Sequence, residues 1–550
     1  MTEFERLADD FITNEKQFHL GFLPTEHSNP LTRSMERDFK SSTVAGVQTL
    51  QRADRPVLEM SKRVWQSPEF AKLVSDGIST VANGGRIIFS GCGATGRLSI
   101  LLESMWRQAC GETPSMSVRA DAVESIMTGG DYALVRSVEF FEDYASFGRR
   151  QVAEAHMTER DMLVAITEGG ETSSVLGTAA EALDRGCKVF LLFNNPAKLL
   201  CEHLERSRRI IEDRRVCVLD LFCGPMALAG STRMQATTSE QLIAGSALEK
   251  IFHHFAGLPD VDYKRGFEKL LSELEAGADR IAAYIDFEAE VYSSGGRVTY
   301  FADEFMLDIF TDTTERSPTF MLPPFKRGDD AVSPEPWALV KNPICTTEEV
   351  WKRNFRRAPR CLTWKPADYA AMGAAQKIQD NPPHISDSDF FAFEVGSTPC
   401  PDRWTTGRDA AVLVGFDIAP VLEAAFTSFA KPAARTARLV IGDSGYIKLS
   451  CRGSALDLMR HMAIKLVLNT VSTGTMVKLG RVSGNWMSWV DCTNKKLLDR
   501  GTRLLVELAG CDYRTACTAL FSAMAEQRNS RTAKEKLSPV QLALGKLKVL

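Results

Sequence analysis

The run Gly91-Cys92-Gly93-Ala94-Thr95-Gly96 lies between an apolar segment, residues 86–90, and a helical pattern that begins at about Arg97. Strand, glycine turn and helix in that order aim free backbone N–H groups and the positive end of a helix at an anion. The hydroxyls of Ser90, Thr95 and Ser99 add side-chain donors. The run also fits G-x-G-x-x-G. A dinucleotide site, however, needs an acidic residue closing a second strand about 20 residues later, and none is there. The turn therefore reads as a phosphate cradle of another kind. A second turn of the same design, TEGGETSS at 167–174, follows the apolar run DMLVAI and opens a helix with four hydroxyls and two glycines. Two such turns at the carboxyl ends of strands in one sheet are a more specific anion signal than either alone.

The elements that must hold these turns alternate. Strands are expected at 86–90, 116–121, 162–167, 188–193 and 216–219, with helices at 97–110, 131–140, 144–155, 172–185 and 240–256. That alternation predicts a mostly parallel sheet covered on both faces. Near residue 294 the pattern restarts. Gly295-Gly296-Arg297-Val298-Thr299-Tyr300-Phe301 echoes Gly84-Gly85-Arg86-Ile87-Ile88-Phe89 about 210 residues earlier, which predicts two copies of one fold. In the second copy the glycine turn is replaced by ADEFMLDIF. Further strands are expected at 390–395, 411–416, 437–441 and 446–449, and residues 321–385 read as an irregular insertion with short helices. The chain divides accordingly into 1–83, 84–260, 261–454 and a helical, lid-like 455–550. Ahead of all this, TEHSNPLT at 25–32 contains Asn29-Pro30, which breaks helix and leaves an ordered loop able to wrap over a site.

At 550 residues the chain is too long for a single core. Its 44% hydrophobic and 25% charged content is that of a soluble globular protein, and a formal charge of −4 without a basic patch argues against nucleic acid. Thirteen cysteines without a C-x-x-C pair read as free thiols in a reducing compartment. No apolar run approaches the ~20 residues that span a bilayer, so a cytoplasmic protein with no membrane association is expected.

Five stretches then carry a resemblance to the sugar isomerase (SIS) domain family, in the branch shared by N-acetylmuramic acid 6-phosphate etherase and the glucokinase regulatory protein. TEHSNPLT resembles its N-terminal T-E-x-x-N-P-x-T, and GCGATGRLS its first phosphate loop. GGDYALVRSVEFFED (129–143) resembles its G-G-[DE]…E-x-x-E-D region, and GPMALAGSTRMQATTSEQL (224–242) its signature G-P-E-x-x-[ST]-G-S-[ST]-R-M-K. KLVLNTVSTGTMVKLGRVSGNWM (465–487), followed by CTNKKLLDR, resembles its C-terminal helices. The resemblance implies an α/β fold of two tandem SIS domains, each a flavodoxin-like three-layer unit, followed by the helical region. Carried over residue by residue, it places Gly93, Thr95, Thr167, Gly169, Glu171 and Thr172 on sugar-phosphate loops and Lys465 on a lysine that reaches the ligand. Glu142 falls on the second glutamate of E-x-x-E-D, a catalytic or sugar-contacting carboxylate. The etherase's other glutamate would align with Met105 in the first half, whereas the second half reads DTTERSPT, which supplies Glu315. The chain departs from the branch at Ala94, Thr95, Gly169, Met226 and Gln235.

Two carboxylates from different halves facing one sugar permit general acid–base chemistry. In the etherase-type reaction that the resemblance implies, one removes the C2 proton of an open-chain sugar, the C3 lactyl ether leaves as lactate, and the other handles the leaving oxygen or the incoming water. The same pair can instead only hydrogen-bond sugar hydroxyls. The resemblance thus implies a sugar-phosphate-binding protein of the regulator type, with a fructose phosphate or N-acetylmuramic acid 6-phosphate as ligand and a hexokinase or glucokinase partner. Its alternative is a lactyl-ether lyase acting through Glu142 and Glu315. Neither needs a metal or cofactor, and a tandem pair with one complete site predicts a monomer.

Overall fold

The repeated Gly-Gly-Arg has one physical cause in both halves. In the computed structural model, which describes residues 1–113, 118–138, 140–529 and 537–548, a Cβ on Gly85 would lie 2.0 Å from the Arg160 carbonyl oxygen, and one on Gly296 would lie 2.4 Å from that of Arg408. In each half the chain entering the third strand crosses directly over the chain entering the first. The next residue confirms the equivalence. Arg86 N–H donates to Asp161 Oδ1 at 2.8 Å, and Arg297 N–H to Asp409 Oδ1 at 3.0 Å.

From these starts run two sheets of five parallel strands. The first holds β1 (Ile87–Gly91), β2 (Val123–Met127), β3 (Met162–Ile166), β4 (Lys188–Phe193) and β5 (Val216–Asp220), in spatial order β2-β1-β3-β4-β5. The second holds β6 (Val298–Phe301), β7 (Ala338–Lys341), β8 (Ala410–Phe416), β9 (Arg435–Gly442) and β10 (Ile447–Lys448), in order β7-β6-β8-β9-β10. The two orders are identical, so β6 occupies in its sheet the place that β1 occupies in the first. Every residue of β1, β3, β6 and β8 is buried, as strands covered by helices on both faces require.

Six helices matter for the site. They are α1 (Ala94–Glu112) after β1, α2 (Ser173–Asp184) after β3, α3 (Gln235–Ala256), α4 (Met306–Phe320) after β6, α5 (Leu458–Lys478) and α6 (Lys495–Ala509). α5 is buried along nearly its whole length and packs against both α3 and α4, so it joins the halves.

Four expectations shift. The strand placed at 116–121 lies partly outside the described residues, and β2 itself starts at Val123, beyond the exposed Arg119 and Asp121. In place of a helix at 131–140 there is a 3-10 turn at Asp131–Leu134, because Gly129 and Gly130 (φ +91° and +70°) turn the chain and Asp131 is captured by Arg357. Residues 390–395 are no strand. The short helix Asp387–Phe391, capped by Ser386, occupies their start. The segment 321–385 contains β7, an edge strand paired with β6 that its short ALVK sequence does not announce.

The loop at 25–32 does wrap. Asn29 Nδ2 donates to Pro225 O at 2.6 Å and Thr32 Oγ1 to Ala227 O at 2.6 Å, so the loop braces the signature segment 224–242. Glu26, 3% exposed, accepts from Arg500 at 2.6 and 2.9 Å and from Arg503 at 2.9 Å, which ties the N-terminal loop to α6. Burial alone would raise the Glu26 pKa, but the two guanidiniums hold it well below the usual carboxylate range. Because the native value is depressed, the stabilisation is present above about pH 4.3 and lost as pH falls below that unfolded-state value. Glu26→Gln, which leaves buried guanidiniums short of their counter-charge, is expected to cost about 3–5 kcal/mol at pH 7 in urea unfolding. The deficit should shrink toward pH 3. A loss that is independent of pH would refute this account of Glu26.

Candidate functional site

The glycine turn closes on itself before it presents anything. Thr95 Oγ1 accepts from Cys92 N–H at 3.0 Å and donates to Cys92 O at 2.9 Å. Gly93 sits at φ +57°, ψ −124°, a conformation for which glycine is suited, and caps the start of α1. A Cβ on Gly91 would lie 2.4 Å from the Thr95 carbonyl carbon. The outcome is the amino end of α1 opening onto a cavity of about 240 Å³ between the two halves.

Both predicted carboxylates line that cavity. Glu142 lies on the 3-10 turn Phe141–Asp143, and its Oε1 accepts from Asn494 Nδ2 at 2.8 Å. Asn494 is itself the N-cap of α6, with its Oδ1 accepting from Leu497 N–H at 2.9 Å, so one side chain starts the covering helix and holds the carboxylate. Glu315 comes from α4 in the other half and is paired with the guanidinium of Arg97 on α1.

Three cations complete the wall: Arg233 from the signature segment, and Lys496 and Arg500 from α6. Each already holds a carboxylate. Lys496 donates to Glu171 at 2.7 Å, Arg500 to Glu26, and Arg233 Nη1 to Asp312 at 2.8 Å. Burial alone would discharge the Lys496 ammonium, but Glu171 and Glu142 more than offset this and keep its pKa above the usual lysine range. On Glu171, burial pushes up while Lys496 and Arg206 pull down, and the net value is about 2. Two buried polar atoms on side chains that line it, Ser231 Oγ and Arg233 Nε, have no hydrogen-bond partner; the residues are 4% and 3% exposed.

The remaining predicted residues lie beneath this surface. Thr95 is spent on its own turn. Thr167 Oγ1 donates to Thr172 Oγ1 at 3.2 Å, and the Gly169 carbonyl accepts from Asn195 Nδ2 at 3.0 Å. Glu171 meets the cavity only through Lys496. Lys465 lies behind the wall. Its ammonium donates to the Arg233 carbonyl at 3.2 Å, to Thr238 Oγ1 at 2.7 Å and to Asn469 Oδ1 at 2.9 Å, and burial lowers its pKa to about 7. Gln235, where the branch has lysine, joins the same layer. It donates to Asp54 at 2.8 Å and accepts from Ala227 N–H at 2.7 Å, while burial pushes Asp54 up to about 6.

Sequence reasoning missed Lys496, Arg500, Arg233, Ser231 and Asn494 as lining residues. One signal was present. Lys496 and Arg500 form a like-charge i,i+4 pair, unfavourable on an isolated helix and therefore a mark of partners elsewhere in the fold.

The symmetry-related position in the second half is filled by the chain itself. Where a glycine turn would stand are Asp303, Glu304 and Phe305, and Met105, the residue that the resemblance aligns with the carboxylate, is buried at 3% exposure. The helix Thr347–Phe355 sits between them. Asn354 Nδ2 contacts the Met306 sulfur at 3.6 Å, and the Asn354 carbonyl accepts from Ser104 Oγ at 2.5 Å. Arg357 and Arg360 then pair with Glu103, and Arg357 also with Asp131. Among the described residues, no group of three or more His, Cys, Asp or Glu is placed to hold a metal ion, and no helix is long and apolar enough to cross a membrane.

Comparison with known proteins bears on this geometry. Residues 69–183 match the family model of the glucokinase regulatory protein N-terminal SIS domain. N-acetylmuramic acid 6-phosphate etherase 1 of Bacillus licheniformis is 30% identical over 225 residues, 41% of this chain and 67% of that one. The etherase of Yersinia pestis (strain Pestoides F) is 32% identical over 224 residues, 41% and 68% of the two chains. Among solved structures, a putative phosphosugar isomerase from Silicibacter pomeroyi aligns at 10% identity and a TM-score of 0.41 over 82% of this chain and 99% of its own. On these sequence matches, the family model spanning the glycine turn at 91–96, the chain belongs to the sugar isomerase (SIS) domain family, in the branch of the N-acetylmuramic acid 6-phosphate etherases and the glucokinase regulatory protein.

Proposed function

We propose that the cavity between the two halves binds a hexose phosphate and that the chain is a sugar-phosphate-responsive binding protein of the regulator type, one site per monomer. The observation that carries this reading is the pair of unpartnered donors, Ser231 Oγ and Arg233 Nε, buried in the wall of a cavity onto which the amino end of α1 also opens. Buried polar atoms normally have partners, and a polar ligand in this cavity is the partner we assign to these two. The three cations each hold a protein carboxylate, which leaves a phosphate to be received by N–H and O–H donors and the helix end rather than by free charge. About 240 Å³ lies just below the usual range for drug-sized ligands and suits nothing larger than a single phosphorylated sugar. The filled second position favours one site per chain. In this reading a hexokinase-type partner, glucokinase among them, senses the occupied state.

A second reading stays open on one observation: Glu142 and Glu315 reach the same cavity from opposite halves. In a lyase acting on N-acetylmuramic acid 6-phosphate, one of them takes the C2 proton and the other serves the departing lactyl oxygen or the incoming water. The relatives named as etherases support it.

Thermal unfolding with fructose 6-phosphate, fructose 1-phosphate and N-acetylglucosamine 6-phosphate tests the first reading. A ligand at 100 times its Kd should stabilise the protein by about 2.7 kcal/mol. No shift with any of the three would overturn sugar-phosphate binding. Ser231→Ala should leave the ligand-free melting temperature unchanged, because its hydroxyl has no protein partner to lose, yet weaken the ligand about tenfold. Release of lactate from N-acetylmuramic acid 6-phosphate, abolished in both Glu142→Gln and Glu315→Gln, would establish the lyase instead.

A further inference from the structure

Arg97 stands on the first turn of α1, 1% exposed, and uses three arms of its guanidinium on three different targets. Nε donates to the Leu134 carbonyl at 2.9 Å and Nη2 to the Ala133 carbonyl at 3.1 Å. Those two bonds fix the plane of the fork. Nη1 then donates to the Glu315 carboxylate, 218 residues away in the other half. Ala133 and Glu315 both line the cavity, and the segment that holds Ala133 and Leu134 leads on to Glu142. One side chain therefore links the glycine turn, the strand-to-Glu142 connection and the carboxylate borrowed from the second half.

We infer that Arg97 is the positioning residue of this site: it sets the Glu315 carboxylate against the sugar and keeps it in register with the segment carrying Glu142. The inference rests on the sugar-phosphate reading above. A lysine keeps the charge but not the planar fork, and so cannot hold two carbonyls and one carboxylate in fixed directions. Arg97 acts through Glu315 and not by touching the phosphate, because its arms are directed to the carbonyls and the carboxylate. Its loss should therefore weaken recognition of the sugar while leaving recognition of a bare phosphate intact.

A double-mutant cycle on the full chain tests this, with Kd measured for N-acetylglucosamine 6-phosphate and for inorganic phosphate in the wild type, Arg97→Lys, Glu315→Gln and the double variant. Arg97→Lys and Glu315→Gln should each raise the sugar-phosphate Kd about tenfold, with the inorganic phosphate Kd unchanged within about twofold, and the double variant should be no worse than Glu315→Gln alone. A merely structural role predicts equal weakening of both ligands or additive losses, and either result would overturn the inference. Should Arg97→Lys fail to fold, Arg97→Gln supplies the same cycle. A wild type that binds neither ligand overturns the sugar-phosphate reading and this inference together. Wild-type binding with an additive cycle overturns the inference alone.

Discussion

Asp312 is the carboxylate on which the two halves are assembled. Its Oδ1 accepts from Arg233 of the signature segment at 2.8 Å, from Ser472 at 2.7 Å and from Asn469 at 3.1 Å, and its Oδ2 accepts from Arg316 one turn along α4 at 2.9 Å. Arg316 passes the charge on to Glu288 at 2.7 Å. All of this is buried, and burial alone would raise the Asp312 pKa, but the two guanidiniums hold it down. A buried ion pair of this sort contributes little net stability because the desolvation of its members offsets their attraction. What it gives is registry, since any shift of α4 would strand charges in the interior. With Asp312 and Arg316 turned inward and fixed, Glu315, between them on the same helix, has one place to go: the cavity and Arg97.

The same constraint explains why the predicted phosphate residues divide into surface and support. The glycine turn and the second turn lie at the ends of strands and Lys465 lies within α5, but of the predicted phosphate residues only Gly93 faces the cavity. Thr95, Thr167 and Thr172 satisfy one another or their own backbone, and Lys465 satisfies the carbonyls that shape the Arg233 segment. A cavity wall needs stiff backing, and hydroxyls and a buried lysine whose pKa burial lowers provide it.

The fold was legible where local rules act alone. β1, β3, β4 and β8 are buried runs bounded by turn residues, and the Gly-Gly-Arg repeat encodes a chain crossing that is visible in sequence because only glycine fits it. β7 and the 3-10 turn at Asp131 were not legible, since one depends on an edge pairing with β6 and the other on Arg357, more than 200 residues away. Within the site, Glu142 and Glu315 were reached through the resemblance and do meet at one cavity. Lys496 and Arg500 carried only the i,i+4 like-charge signal, and Arg233 carried none, because a cation paired with a distant buried carboxylate looks, in sequence, like any solvated charge.

The central claim is one ligand site per chain, made by both halves together. Titration calorimetry of the purified chain with N-acetylglucosamine 6-phosphate measures it directly. The account predicts a stoichiometry of one ligand per chain. Two ligands per chain would mean that the helix Thr347–Phe355 does not close the second position, and one ligand per two chains would mean that the site is built between molecules. Either result would contradict the account.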